Sequence, residues 1–114
     1  MLAHIYTLSG EKKVKDVLKK GERVQSDLFG VFYLKRSDEE TPKFAFVIST
    51  KISKLAVHRN RVRRAMGESV RRNVTKLPKG VDFVFLAKRD IVKRTTVEIM
   101  KEVENFISSF ELKK

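Results

Sequence analysis

A chain of 114 residues with 41% hydrophobic residues is long enough for one modest core, and a single domain spanning residues 1–114 is expected. A formal net charge of +12 and a pI near 10.2 point to a polyanionic partner, with nucleic acid foremost. The absence of cysteine excludes disulfides and thiolate metal sites; no apolar run approaches the ~20 residues of a spanning helix, and the start lacks a signal peptide's basic and apolar regions, so a cytoplasmic protein without a membrane partner is expected.

In chain order, residues 1–8 read as a short lead-in. Ser9 is the expected N-cap of a first helix, with Glu11 in its first turn where the helix dipole favours an acid. Val14, Val17 and Leu18 form its apolar side, and Gly21 ends it. Lys12, Lys13, Lys15, Lys19 and Lys20, against Glu11 and Asp16, make its outer side a secondary basic patch that reads equally as an RNA contact or as a solvated face. Residues 23–35 read as one strand, strongest over 28–34, and the nearly continuous apolar run predicts cover on both faces. Residues 36–43 have the polar residues and proline of a loop, and Asp38, Glu39 and Glu40 read as its solvated tip rather than as a divalent-cation site. Residues 44–50 are the next strand, expected to form a hairpin with the one before.

Residues 51–73 dominate the charge. Lys51, Lys54, Arg59, Arg61, Arg63, Arg64, Arg71 and Arg72 are opposed there by one acid, Glu68, so this fifth of the chain carries seven of its twelve net charges. Ala56–Asn73 is predicted to be a helix. Val62, Ala65, Met66, Ser69 and Val70 fall on one buried stripe, while Asn60, Arg64 and Arg71 point the opposite way, flanked by the remaining arginines. Arg59 and Arg63 are a like-charge i,i+4 pair, costly in an isolated helix, and only Arg64–Glu68 and Glu68–Arg72 offer relief at that spacing. A nearly acid-free arginine face makes sense against phosphate, which the planar guanidinium binds two oxygens at a time.

Residues 77–80 (Leu-Pro-Lys-Gly) read as a turn and residues 81–87 as a further strand. Thr95 and Glu98 have the spacing of a capping box, and Met100, Val103, Phe106, Ile107 and Phe110 give the last helix an apolar stripe. That helix is acidic: Glu98, Glu102, Glu104 and Glu111 stand against Lys101, Lys113 and Lys114, so positive charge is placed selectively. The result is an α+β sandwich of helices on one sheet. The segment 44–87 forms a crossover if its two strands are parallel neighbours.

No protein active site is legible. The two histidines, His4 and His58, have no catalytic constellation around them, and the zincin, nucleophile-elbow and P-loop patterns are absent.

The run Leu-Ala-Val-His-Arg-Asn-Arg-Val-Arg-Arg at 55–64 resembles the signature of the bacterial ribonuclease P protein subunit, through Ala56, Arg59, Asn60, Arg61, Val62, Arg63 and Arg64. The resemblance covers nearly the whole chain: Leu8, the 14–21 helix, Phe29 and Phe32, the Leu-Pro-x-Gly turn, the strand led by Asp82 and the last helix keep the family's order. It implies a two-layer α-β-β-β-α-β-α sandwich whose β-α-β crossover is left-handed, against the usual rule. It also implies a protein cofactor: ribonuclease P RNA, with magnesium held mainly by that RNA, hydrolyses precursor tRNA to remove its 5′ leader. The protein then has no catalytic residue, metal site or small-molecule cofactor of its own. By the same resemblance Arg59, Asn60, Arg61, Arg63 and Arg64 contact RNA, with Lys51, Lys54, Arg71 and Arg72 extending the basic face. A cleft between first helix and sheet, at Val14, Leu18 and Phe32, takes the leader.

Three departures from the family stand out. Position 67, usually basic, is Gly67, read as part of the polar face. Val14 and Leu18 replace aromatics, so Phe32 is expected to carry more of a weakened leader contact. The lead-in lacks its usual basic residues. Competing readings are a generic RNA-binding module, such as a ribosomal protein, and a nuclease acting without RNA.

Overall fold

In a computed structural model, which describes residues 3–111, two apolar strands occupy the middle of a four-stranded sheet. The elements are α1 (Glu11–Lys20), β1 (Glu22–Gln25), β2 (Phe29–Lys35), β3 (Lys43–Val47), α2 (Ala56–Asn73), β4 (Val81–Ala87) and α3 (Thr96–Ser109). Short 3-10 turns lie at His4–Tyr6, Val74–Lys76 and Arg89–Lys93. Lys113 and Lys114 lie outside the described residues. The order is α-β-β-β-α-β-α, an α+β fold, as expected.

The sheet order is β1-β2-β4-β3. β2 and β4 are antiparallel and β3 and β4 parallel, so β3-α2-β4 is the crossover. Two expectations are corrected here. The single strand over 23–35 is a hairpin: Ser26 and Asp27 break it, the Ser26 amide donates to the Phe29 carbonyl at 2.9 Å, and Gln25 faces Gly30 across the turn. The strand at residues 44–50 stops at Val47 and does not pair with β2, because β4 lies between them. β2 and β4 carry the longest apolar runs, and at the centre of the sheet each is covered by α2 and α3 on one face and by α1 on the other.

Strand alternation divides the interior in two. Phe29, Val31, Tyr33, Phe44, Phe83 and Phe85 face α2 and α3 in the larger core, where the Phe44 and Phe83 rings stack at 5.3 Å and Phe106 meets Phe85 edge-on at 5.6 Å. Val84, with Phe32, Leu34 and Leu86, faces the other way and packs with Leu8 and Val17 under α1. The expected stripe of α2 is buried in full: Val62, Met66 and Val70 are 0% exposed, Ala65 and Ser69 2%. Ser69 is tolerated there because its Oγ donates to the Met100 carbonyl of α3 at 2.8 Å. The capping box of α3 forms, Thr95 Oγ1 accepting from the Glu98 amide and Glu98 Oε1 from the Thr95 amide.

The ends of α1 differ from expectation. Gly10, not Ser9, is the N-cap, and no side chain caps the helix. Gly21 ends it in an extended conformation rather than a left-handed one; a Cβ there would lie 2.5 Å from the Val17 carbonyl oxygen and 2.6 Å from that of Tyr33. Glycine is needed at this position for the close approach of helix to strand.

Asp38, Glu39 and Glu40 are exposed at the tip of the loop between β2 and β3, as expected, and the loop is also anchored by a clasp. Arg36 pairs through Nη1 with the buried carboxylate of Asp82, binds Asp38 through Nε at 3.0 Å, and donates from Nη2 to the Thr41 carbonyl at 2.8 Å. The Arg36 guanidinium holds the Asp38 carboxyl below its usual range, with help from the Glu40 amide. The Gly80 amide donates to the Glu40 carbonyl at 2.7 Å. Gly80 has φ 73°, and a Cβ there would collide with the Asp38 carbonyl oxygen at 2.3 Å.

Candidate nucleic-acid interface

The buried stripe of α2 orients everything else on the helix. With Val62, Ala65, Met66, Ser69 and Val70 against the core, Asn60, Arg63, Arg64, Arg71 and Arg72 are exposed, as are Lys51 and Lys54 in the segment leading to the helix. Arg59 and Arg61 are half-buried, each tied to a backbone carbonyl of a connecting segment. Arg59 Nη1 donates to the Ser53 carbonyl at 2.8 Å, and Arg61 Nη2 to the Val92 carbonyl at 2.9 Å. A guanidinium has five N–H donors, so one bond to the backbone fixes its direction and leaves the rest for phosphate. Arg63 Nη1 donates to Asn60 Oδ1 at 3.0 Å, which aligns two members of the signature run on one turn. The nine candidate contact residues therefore run from the β3–α2 connection to the end of α2, with Glu68 the one acid among them.

Glu68 forms the expected i,i+4 pair with Arg72 and adds an i,i+3 pair with Arg71. Its carboxylate accepts from Arg71 at 2.5 Å and from Arg72 at 3.1 Å. The two arginines, Arg71 first, hold its pKa down from 4.5 to about 2. The i,i+3 partner wins because Arg71 presents two donors, Nε and Nη2, to the two carboxylate oxygens. Charge at the C-terminal end of the basic face is thus partly offset.

Gly67 is a second correction. It is buried rather than part of the polar face, because α2 turns this position toward β3. A Cβ added to Gly67 would meet only the Phe46 ring, at 3.9 Å, an ordinary contact. Helical spacing alone placed residue 67 beside Arg63 and Arg71; the proximity of the β3 edge, a tertiary fact, decides its burial.

On the opposite side of the sheet, Val14, Leu18 and Phe32 come together in the smaller apolar cluster, all half-buried. Phe32 is the β2 aromatic that faces α1; Phe29 and Tyr33 face the larger core. Sequence alone left that face open. The contribution of Asp82 was not visible either, since its partner Arg36 is 46 residues away. A single acid opening an otherwise apolar strand was the available signal. Among the described residues, no helix is long and apolar enough to cross a membrane, and no three or more His, Cys, Asp or Glu side chains are grouped as metal ligands.

Comparison with known proteins agrees with this architecture. The family model "Ribonuclease P" matches residues 2–111. The ribonuclease P protein component of Pelotomaculum thermopropionicum is 34% identical, over 81% of this chain and 96% of its own length. That of Clostridium kluyveri is 30% identical over 96% of this chain and 98% of its own. Among solved structures, the RNase P protein of Staphylococcus aureus superposes with a TM-score of 0.83 at 21% identity, covering 90% of this chain and 93% of that one. The RNase P protein of Thermotoga maritima gives 0.81 at 22% identity, covering 92% and 97%. With its elements in the same order and its whole described length matched, the chain belongs to the ribonuclease P protein family.

Proposed function

We propose that this chain is the protein cofactor of a ribonuclease P ribonucleoprotein, binding the catalytic RNA through α2 and the 5′ leader of precursor tRNA beside α1. The observation that carries this reading is the basic side of α2, in which Arg59, Asn60, Arg61, Arg63 and Arg64 are held on one helix by a fully buried stripe.

The division of labour follows from the donor sets. Magnesium is a hard cation that takes oxygen ligands, and the α2 face offers guanidinium and ammonium groups instead. In this reading magnesium would be held mainly by the RNA, where it would supply charge for phosphodiester hydrolysis. The protein contributes by neutralising phosphates that would otherwise repel one another when RNA and substrate meet, and by orienting the leader. Arg59 and Arg61, tethered to backbone carbonyls, are presented in a fixed direction at little entropic cost. On the α1 side, Phe32 offers an aromatic for a leader base, while Val14 and Leu18 offer apolar contact without stacking.

The test is cleavage of a precursor tRNA by the cognate ribonuclease P RNA at low magnesium, with and without this protein, and with the protein alone. Leader removal that needs both components is the expected result. Cleavage by the protein alone would make it a nuclease. Tight RNA binding without any effect on cleavage would make it a generic RNA-binding module.

A further inference from the structure

Gly67 lines a groove between α2 and the edge strand β3. It is an open cavity of about 700 Å³, within the ~300–1,000 Å³ of small-ligand sites. Its floor is Phe44 and Phe46, and its rim is Asn60, Arg63 and Arg64. β3 is the outermost strand on this side, and the lead-in covers only part of its edge: the Leu8 amide donates to the Phe44 carbonyl at 2.8 Å. By strand alternation the N–H and C=O of Phe46, two residues on, turn to the same edge.

We infer that this groove is a subsite for one unstacked nucleobase of a bound RNA, with the base against the Phe46 ring and its flanking phosphates on Arg63 and Arg64. The inference rests on the RNA-binding reading above. Three features of a single-stranded nucleic-acid site coincide there. Phe46 is half-buried and therefore an accessible aromatic surface. Arg63 and Arg64 are exposed at the rim, spaced to follow a backbone. The edge of β3 supplies a backbone donor and acceptor for the rim of a base, which are absent from a purely apolar pocket. Glu68 also lines the groove, but its carboxylate is bound by Arg71 and Arg72, so the rim stays positive. Gly67 is the residue that makes room. Its missing side chain would begin 3.9 Å from the Phe46 ring, and a longer one would extend over the groove.

A short RNA duplex with one bulged 2-aminopurine, and the same duplex without the bulge, test this directly. The expected result is about tenfold tighter binding of the bulged duplex, the size of one base–aromatic stack, with quenching of 2-aminopurine fluorescence. Gly67→Leu, which fills the groove without removing a charge, is expected to abolish both the preference and the quenching while leaving affinity for the plain duplex unchanged. Thermal unfolding of the variant checks that it is folded. Equal affinity of the native chain for the two duplexes would overturn the subsite and leave the RNA-binding reading standing; so would a preference that survives Gly67→Leu. Failure to bind either duplex would overturn both.

Discussion

Glu68 is the one acid within the basic face, and its two arginine partners fix what it does. Its pKa is held at about 2, against an ordinary 4.5, so it is charged throughout the neutral range. A depressed carboxyl pKa stabilises the fold above the unfolded value and loses that contribution as pH falls through the folded one. The contribution is therefore complete above about pH 4.5 and disappears toward pH 2. Glu68→Gln is expected to be less stable than the native chain at pH 7, with the difference closing as pH approaches 2, as measured by urea unfolding across that range. The same change frees Arg71 and Arg72, so RNA affinity is expected to rise at neutral pH and its salt dependence to steepen. Phe32 is the second residue with a defined expectation. Among the described residues, Val14 and Leu18 leave it the single aromatic of the α1-side cluster. Phe32→Ala is expected to lower affinity for precursor tRNA by about 1–3 kcal/mol and to leave affinity for mature tRNA, which has no leader, unchanged. Titration of both RNAs against the assembled holoenzyme decides this.

At the scale of elements, the clasp around Arg36 holds the start of β3 and the turn before β4 in place. Removing its cation leaves the carboxylate of Asp82, 8% exposed, without its partner. Arg36→Met is expected to cost about 3 kcal/mol, read by chemical denaturation. Adding Asp82→Asn to that variant is expected to cost less than Asp82→Asn alone, because the two residues act as a pair. This clasp was not legible in advance: it joins positions far apart in sequence, and three consecutive acids in a polar loop look the same whether solvated or anchored. What was legible follows a local period. The α2 stripe and the α3 capping box depend on spacings of three and four residues, and both are found where expected. The β1–β2 break was missed because Ser26 and Asp27 interrupt only two positions of a run read as one strand. The β2–β4 pairing depends on which apolar run reaches the centre of the sheet, and a hairpin is the shorter connection by chain length alone. Gly67 shows the same limit within a helix whose ends were read correctly: spacing gives its angle around α2, and the nearness of β3 gives its burial.

At the scale of the molecule, the sheet separates two basic surfaces. α2 with its arginines lies on one face and α1 with Lys12, Lys13, Lys15, Lys19 and Lys20 on the other, while α3, which packs on α2, carries acids. A single rigid RNA helix lying along α2 cannot reach the outer side of α1 through the sheet. The two surfaces are therefore expected to serve different RNAs of one complex, the catalytic RNA on α2 and the precursor's leader on α1. Salt dependence separates them. Lys51, Lys54, Arg59, Arg61, Arg63 and Arg64 carry six positive charges, and neutralising about six phosphates gives a log–log slope near −5, a loss of about 10³-fold between 50 and 200 mM salt. Substituting both Arg63 and Arg64 by alanine is expected to reduce the slope for the catalytic RNA by about 2. Substituting Lys12 and Lys13 by glutamine is expected to leave that slope unmoved, and to weaken only the capture of leader-bearing tRNA by the assembled complex. If the lysine changes flatten the slope for the catalytic RNA as much as the arginine changes do, the RNA wraps around the sheet edge and the two-surface division is wrong.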